Sequence, residues 1–467
     1  MFLCVVSFML PADMAYSQTG YKFDAATVSG LPARNIGSAT MSGRVAAVDA
    51  IEQDGRITVY VGAASGGVWK SVNGGTTYKS VFDRESVQSI GAVAIDPSNP
   101  KTVWVGSGEA WMRNSVSVGD GVYKSTDSGE NWTNVGLKNS EHIAKILVDP
   151  ANGNNVLVCA TGHLWDDSDE RGVYKTTDGG KTWKKVLAGA NGSSGCGLLA
   201  MSRQEPNTIY ASMWDFRRQG WTFRSGNVPT SGSGLFKSTD GGDHWTELTD
   251  SNAKGLPAKP WGRVAIAVAP SKPQVVYANV EAEKGRGLYR SDDSGATWKK
   301  LDASNYMVWR PFYFGNLIVD PKDENKIFKP DLILLYSTDG GKTFNVVSGG
   351  AHGDFHDVWI NPKNPNVVIA GDDGGLWRSE DGGNRWKHQM NLPISQFYHV
   401  STDSSDPYHV YGGLQDNSSW VGDSSYPGGV KIHAGKTCSV ETASGCSKTR
   451  RTRTTFMPKR RAEKSAA

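Results

Sequence analysis

Thr176-Thr177-Asp178-Gly179-Gly180-Lys181-Thr182-Trp183 is one of seven versions of an eight-residue stretch in this 467-residue chain. The others begin at Ser71, Ser125, Ser238, Ser291, Ser337 and Ser379, with the pattern S/T-x-D-x-G-x-x-aromatic. Start-to-start gaps are 54, 51, 62, 53, 46 and 42 residues. A period near fifty marks a repeat architecture, each repeat being one supersecondary unit that buries its apolar face only against its neighbours. The short polar residue at position three can accept hydrogen bonds from nearby backbone N–H groups, and the glycine supplies the positive φ of a reversal. In the first copy Asn73 replaces the aspartate, keeping the acceptor without the charge. These carboxylates are therefore read as turn chemistry rather than as a row of catalytic or metal-binding acids.

Each turn follows a short apolar run such as Gly172-Val173-Tyr174-Lys175. Upstream of it lie two β-rich runs joined by a proline turn, as in Asp96-Pro97-Ser98-Asn99-Pro100. Proline suits such a turn because it fixes φ and removes a donor that no ladder needs. Four antiparallel strands per repeat, in meander order, define an all-β propeller. Seven blades are complete over residues 35–396, and an eighth unit starts at 397–429. In a meander the proline turns and the eight-residue turns share one face. The irregular loops share the other, where a rigid scaffold commonly carries function.

The ends differ from the repeats. Residues 1–17 read as a secretory signal, with an apolar run and small residues near Ser17, and 18–34 as a lead-in. The expected location is therefore secreted or periplasmic, of bacterial type. Lys431 to Ala467 holds ten Lys/Arg and two Glu, a net charge of +8 against +3 for the whole chain. A nucleic-acid arm is one reading of such a cluster. However, codons able to encode Ser439–Lys464 yield, two bases on, a stretch containing the chain's own D-P-x-x-P turn. Residues 430–467 are therefore expected to be a frameshifted, disordered tail, with no nucleic-acid partner and no membrane span. Glycine, 55 of 467 residues against about 7% on average, reflects turns rather than disorder. Cys159 and Cys196 fall in adjacent blades, and two buried thiols are expected in preference to a bridge.

The turns match the Asp box of BNR-repeat families. Together with the D-P-x-N-P turns and Gly66-Gly67-Val68-Trp69-Lys70-Ser71, they resemble sortilin-type receptor propellers with their bacterial relatives, and the xyloglucan-cleaving endoglucanases. Segments such as H-G-D-F-H-D-V-W and L-Q-D-N-S-S-W resemble the bacterial secreted group often labelled glycosyl hydrolase or sortilin-like. The endoglucanases carry a catalytic aspartate in T-D-I-G-G-A-Y-R, and Ala64 stands at the matching position here. Their partner aspartate lies on a second propeller. The resemblance thus implies a propeller binding a peptide or a glycan, non-catalytic as it stands. The alternative is a xyloglucanase-like glycoside hydrolase truncated before its second propeller.

Several loop-face residues carry candidate chemistry. Asp372, Asp373 and Asp416 end second strands, where adjacent acids can have raised pKa values. Glu109, Trp111, Arg113, His163, Trp165, Trp214, Asp215, Arg217, Trp221, Trp309, Tyr313 and Asp357 combine aromatics with charge, as sugar stacking or peptide capture requires. His352, Asp354 and His356 alternate on one side of an extended segment and suit a transition metal. No cofactor is expected other than a divalent metal at that cluster. The competing reading for each is loop packing.

Overall fold

The computed structural model describes residues 42–425 and 436–439, apart from 114–115, 220–221, 226–227 and 348–350. The signal, the lead-in, Trp221 and the tail beyond 439 lie outside the described residues.

The chain is an all-β propeller. Among the described residues eight sheets follow one another, each with four antiparallel strands in meander order, the fourth sheet carrying in addition Thr222–Ser225 paired to its long second strand. The first strands of the first seven are Val45–Gln53, Ile90–Ile95, Ile143–Val148, Ser194–Ser202, Trp261–Val268, Ile318–Val319 and Phe355–Ile360. These strands pack neighbour to neighbour around a central axis, and the ring closes by packing blade seven on blade one. Blades one and seven share one hydrophobic core, from Val45, Val59 and Val61 to Ile369, Leu376 and Ile394. Gly371 makes the approach possible, since a Cβ there would lie 2.5 Å from Val45 Cγ1. The Asp357 carboxylate accepts the Val48 N–H across the same seam at 3.0 Å. Asp49 of blade one repeats the device, accepting the Ile95 N–H of blade two at 2.8 Å.

The eight-residue turns are self-contained. In the third, Thr176 Oγ1 accepts the Gly180 N–H at 3.0 Å, and Asp178 accepts the Lys181 and Thr182 N–H groups at 2.9 and 3.0 Å. Gly180 holds φ 93°, which an L-residue rarely adopts. Hydrogen bonds from the Thr182 side chain and backbone hold the Asp178 carboxyl well below its ordinary range. Trp183 reaches back to blade two, donating to Val135 O at 2.8 Å and meeting Trp104 edge-on at 6.4 Å.

Two expectations are corrected. Cys159 and Cys196 form a disulfide that clips blade three to blade four. Their Cα atoms are 5.0 Å apart, within bridging range, a proximity that a separation of 37 residues does not reveal. The eighth sheet also has a fourth strand, Lys436–Ser439, inside the stretch assigned to the tail. A ladder is made by backbone groups, so an unusual side-chain composition does not prevent pairing.

Replacing Trp183 by alanine should destabilise the ring by about 3 kcal/mol, the low end for a buried tryptophan because this one is half-buried. Urea unfolding of the variant measures it, and the ligand affinity of the folded fraction should stay unchanged.

Candidate functional site

The loop end of the axis is closed by side chains from blades that are not neighbours. Trp111, from the loop after the second strand of blade two (Val103–Ser107), stacks on His356 of blade seven at 5.4 Å. Arg263 of blade five lies over Trp111 at 5.1 Å and over Trp214 of blade four at 4.6 Å. A contact between blades two and five joins opposite sides of a seven-membered ring and so crosses its axis. The aromatic side chains and Arg263 therefore plug the loop end of the axis.

A buried ionic network sits beside this plug. Arg44, immediately before blade one, grips Glu109 through two nitrogens at 2.6 and 3.0 Å, with side-chain exposures of 2% and 1%. Its guanidinium also donates to Gln396 at 2.9 Å and lies 3.9 Å from Asp373. Asp373 accepts the Tyr313 hydroxyl at 2.9 Å and pairs with His356 Nε2 at 2.7 Å. Burial alone would lower the Arg44 pKa, but Glu109 and Asp373 more than offset it and hold the guanidinium charged. Burial would likewise raise Asp373, yet the His356 hydrogen bond and the Arg44 charge keep it well below the usual carboxylate range. Tyr313 accepts Arg113 Nη1 at 3.4 Å, and Arg113 lies 3.6 Å from Asp416 on the eighth sheet.

Most of the predicted residues are thus committed to structure. Glu109, Trp111, Tyr313, Asp357, Asp372, Asp373 and His356 are buried. So are Trp214, which donates to Ser225 Oγ at 3.0 Å, and Asp215, which accepts Asn191 Nδ2 at 2.8 Å and Gly232 N at 2.9 Å. His163 is held between Asp166 at 2.9 Å and the Asn139 carbonyl at 3.0 Å. Arg217 pairs with Asp167. Trp165 and Trp309 remain open, at 53% and 45% exposure.

His352, Asp354 and His356 are not brought together as a metal site. Among the described residues no three His, Cys, Asp or Glu side chains converge to hold an ion. His356 Nε2 is taken by Asp373, and His352 Nε2 lies 2.7 Å from the Asp416 carbonyl oxygen. Asp354 has φ 57°, which breaks the extended geometry the expectation assumed.

The ladder register also corrects the internal alignment. Val45 pairs with Ala63 and Phe355 with Asp372, so the next residues, Ala64 and Asp373, correspond. Their N–H groups donate alike, Ala64 to Arg44 O and Asp373 to Asp354 O. Blade one has one extra residue in the following turn, and counting back from that turn misassigns Asp372 to Ala64. Sequence reading also missed Arg44 and Arg263. Their signal was the repeated G-R-V-A at 43–46 and 262–265, where an arginine opens a first strand at the axis.

The carboxylates left to meet a ligand are Asp354 and Asp416, both only partly buried. Burial, reinforced by the Asp373 and Asp416 charges, pushes Asp354 up to about 6. Asp354 Oδ1 has no hydrogen-bond partner.

Residues 66–219 match the family model described as "Sortilin, neurotensin receptor 3". The chain is 24% identical, over 62% of its own length and 37% of the relative's, to a probable oligoxyloglucan-reducing end-specific xyloglucanase of Neosartorya fischeri. It is 27% identical to a xyloglucanase of Hypocrea jecorina over 55% of its length and 32% of the relative's. It therefore spans about a third of the length of the curated relatives it matches. The crystal structure of an ancestral GH74 enzyme superposes with a TM-score of 0.57 at 18% identity, covering 82% of this chain and 53% of that one. The chain is an all-β propeller that is similar to sortilin-type and xyloglucanase proteins. No helix among the described residues is long and apolar enough to cross a membrane.

Two outcomes follow for the network and for Asp354. Glu109→Gln should cost about 3–5 kcal/mol in chemical denaturation, because it strands the buried Arg44 charge. The folded state keeps the Asp354 proton up to about pH 6, while an unfolded aspartate loses it near 3.8. The folded state therefore binds more protons in that window, and the contribution of Asp354 to stability falls as pH rises through it. Asp354→Asn, which tolerates the positive φ, should raise the melting temperature at pH 7 and leave it unchanged at pH 3.5.

Proposed function

We propose that this propeller binds a xyloglucan-type glycan on its loop face and does not cleave it in the present chain. The observation that carries the reading is the rim left open around the plug. Trp309, edge-on to Tyr306 at 5.5 Å, and Trp165 are exposed, while Asp354, Asp416 and Arg113 are partly exposed and polar. Exposed rings give sugar faces an apolar platform, and carboxylates and guanidinium groups bond the hydroxyls. The xyloglucanase names of the relatives support carbohydrate over peptide as the ligand class. Against hydrolysis stands Ala64, buried against Trp111 and Tyr313 where the resemblance requires an acid. Secretion belongs to the same proposal, since such a polysaccharide is met outside the cell.

The second reading, glycoside hydrolysis, is favoured by one observation. Cleavage normally needs a protonated and an ionised carboxyl group. Asp354, pushed up to about 6, can hold a proton near neutrality beside Asp416.

Titration with xyloglucan oligosaccharides separates the two readings. Binding without release of reducing ends is the expected result for the full chain. Trp309→Ala should weaken binding by roughly tenfold, the loss of one stacking platform worth about 1.4 kcal/mol. Turnover that disappears in both Asp354→Asn and Asp416→Asn would establish the hydrolase instead.

A further inference from the structure

Beyond the plug, toward the proline-turn face, the axis stays open as a well of about 520 Å³. Its wall is built by the later parts of the first strands, among them Val48, Val93, Leu198, Ile266, Leu317 and Val358. Pro97, Pro270, Pro321 and Pro362 stand among the lining residues from the proline turns. The interior is mostly aliphatic, with a few polar groups set into it, which is the usual composition of a small-molecule pocket of this size.

One of those polar groups lacks a partner. Lys145, on the first strand of blade three, lines the well and is partly exposed to it. Among the described residues its ammonium makes no hydrogen bond and no ion pair within 4.0 Å. The three carboxylates of the lining each accept other donors, Glu52 from Asn361 Nδ2 at 2.5 Å. Asp49 accepts the Ala50 and Ile95 N–H groups at 2.9 and 2.8 Å. Asp357 accepts from Val48 N, Val358 N and Asn316 Nδ2 at 3.0, 3.0 and 3.1 Å. Burial raises both acids, and in each case the Lys145 charge opposes the rise. A group on blade three felt by blades one and seven projects toward the axis. The well therefore presents a cationic donor with three N–H bonds to give, set in an apolar wall and bonded to none of the acids of the lining. Arg203, Lys363 and Glu52, also among the lining residues, leave a small positive excess nearer the exposed strand ends.

We propose that this well is a binding site for a small amphipathic carboxylate, which places its head group on Lys145 and its apolar body along the strand walls. The carboxylate supplies the acceptors that Lys145 lacks, and the aliphatic body covers the wall. A neutral alcohol of the same length satisfies only one donor, and an ammonium of that length meets a like charge. The well lies on the other side of the plug from the loop-face rim. It therefore does not depend on the carbohydrate reading.

Calorimetric titration of the full chain with octanoate, octanol and octylammonium tests it. Octanoate should bind at least about tenfold more tightly than octanol, with octylammonium weakest. Lys145→Met keeps the length and apolar stem of the side chain. It should bring octanoate down to the affinity of octanol, with octanol itself and xyloglucan binding unmoved. Lys145→Arg should retain the preference, and Ala200→Phe, which narrows the well, should abolish binding of both ligands. Absence of octanoate binding to the folded wild-type chain overturns the proposal. So does equal affinity for octanoate and octanol, or a Lys145→Met variant that binds octanoate as the wild type does.

Discussion

The seam between blade seven and blade one is the constraint on which the other features depend. A sheet repeated around an axis leaves two open flanks unless the last repeat packs on the first. Here the closure uses a glycine where Val45 enters and a carboxylate, Asp357, that accepts the Val48 N–H. An unpaired buried N–H costs more than a typical hydrogen bond contributes, so this acceptor matters as much by what it prevents as by what it adds. Closure brings the first strands of all seven blades around one axis. It is also what lets Trp111, Arg263, Trp214 and His356, from blades two, five, four and seven, meet there.

The chemistry at that axis is constrained by desolvation. Arg44, Glu109 and Asp373 are charged groups with almost no access to water, which is tolerable only with close pairing and a nearly complete set of hydrogen bonds. Asp373 draws on Tyr313, His356 and Arg44 together, which removes it as a free nucleophile or proton donor. It occupies the ladder position that Ala64 occupies in blade one. Two equivalent positions of the repeat have thus diverged, one to an apolar contact with Trp111 and Tyr313 and one to the hub of an ionic network. Asp354, Asp416 and Trp309 lie outside that network and are partly or largely exposed.

The repeat made the fold legible because each turn carries its own instructions. Ser or Thr at the first position, Asp at the third and Gly at the fifth act within a few residues, and local chemistry is what a sequence displays directly. Proline turns located the strand ends for the same reason. What could not be read depends on distance. The Cys159–Cys196 bridge joins adjacent blades, but it rests on a Cα separation of 5.0 Å that adjacency alone does not give. The displacement of Asp372 against Asp373 comes from one inserted residue in blade one, which changes the correspondence according to the end from which it is counted. The His352–His356 cluster looked like a metal site because i, i+2 and i+4 share a side in a regular strand. A positive φ at Asp354 defeats that geometry. Burial divided the acidic and aromatic candidates of the loop face, and burial is set by which blades meet across the axis.

The eighth sheet lies outside the closed ring yet completes its loop end. Gln396, just before its first strand, accepts from Arg44 at 2.9 Å. Asn417 Nδ2 donates to the Asp373 carbonyl at 2.8 Å. The Asp416 carbonyl lies 2.7 Å from His352 Nε2, and its carboxylate lies 3.6 Å from Arg113 of blade two. Three of these four contacts land on the buried network or on a residue bonded to it. The position of Asp416 is therefore set by the same charges that hold the plug together, and a change at Arg44 or Glu109 reaches Asp416 through Gln396 and Asp373 without touching it. On this face a ligand would meet a surface composed of blades two, six and seven and the eighth sheet at once. Its recognition depends on the docking of that sheet as much as on any side chain of the ring.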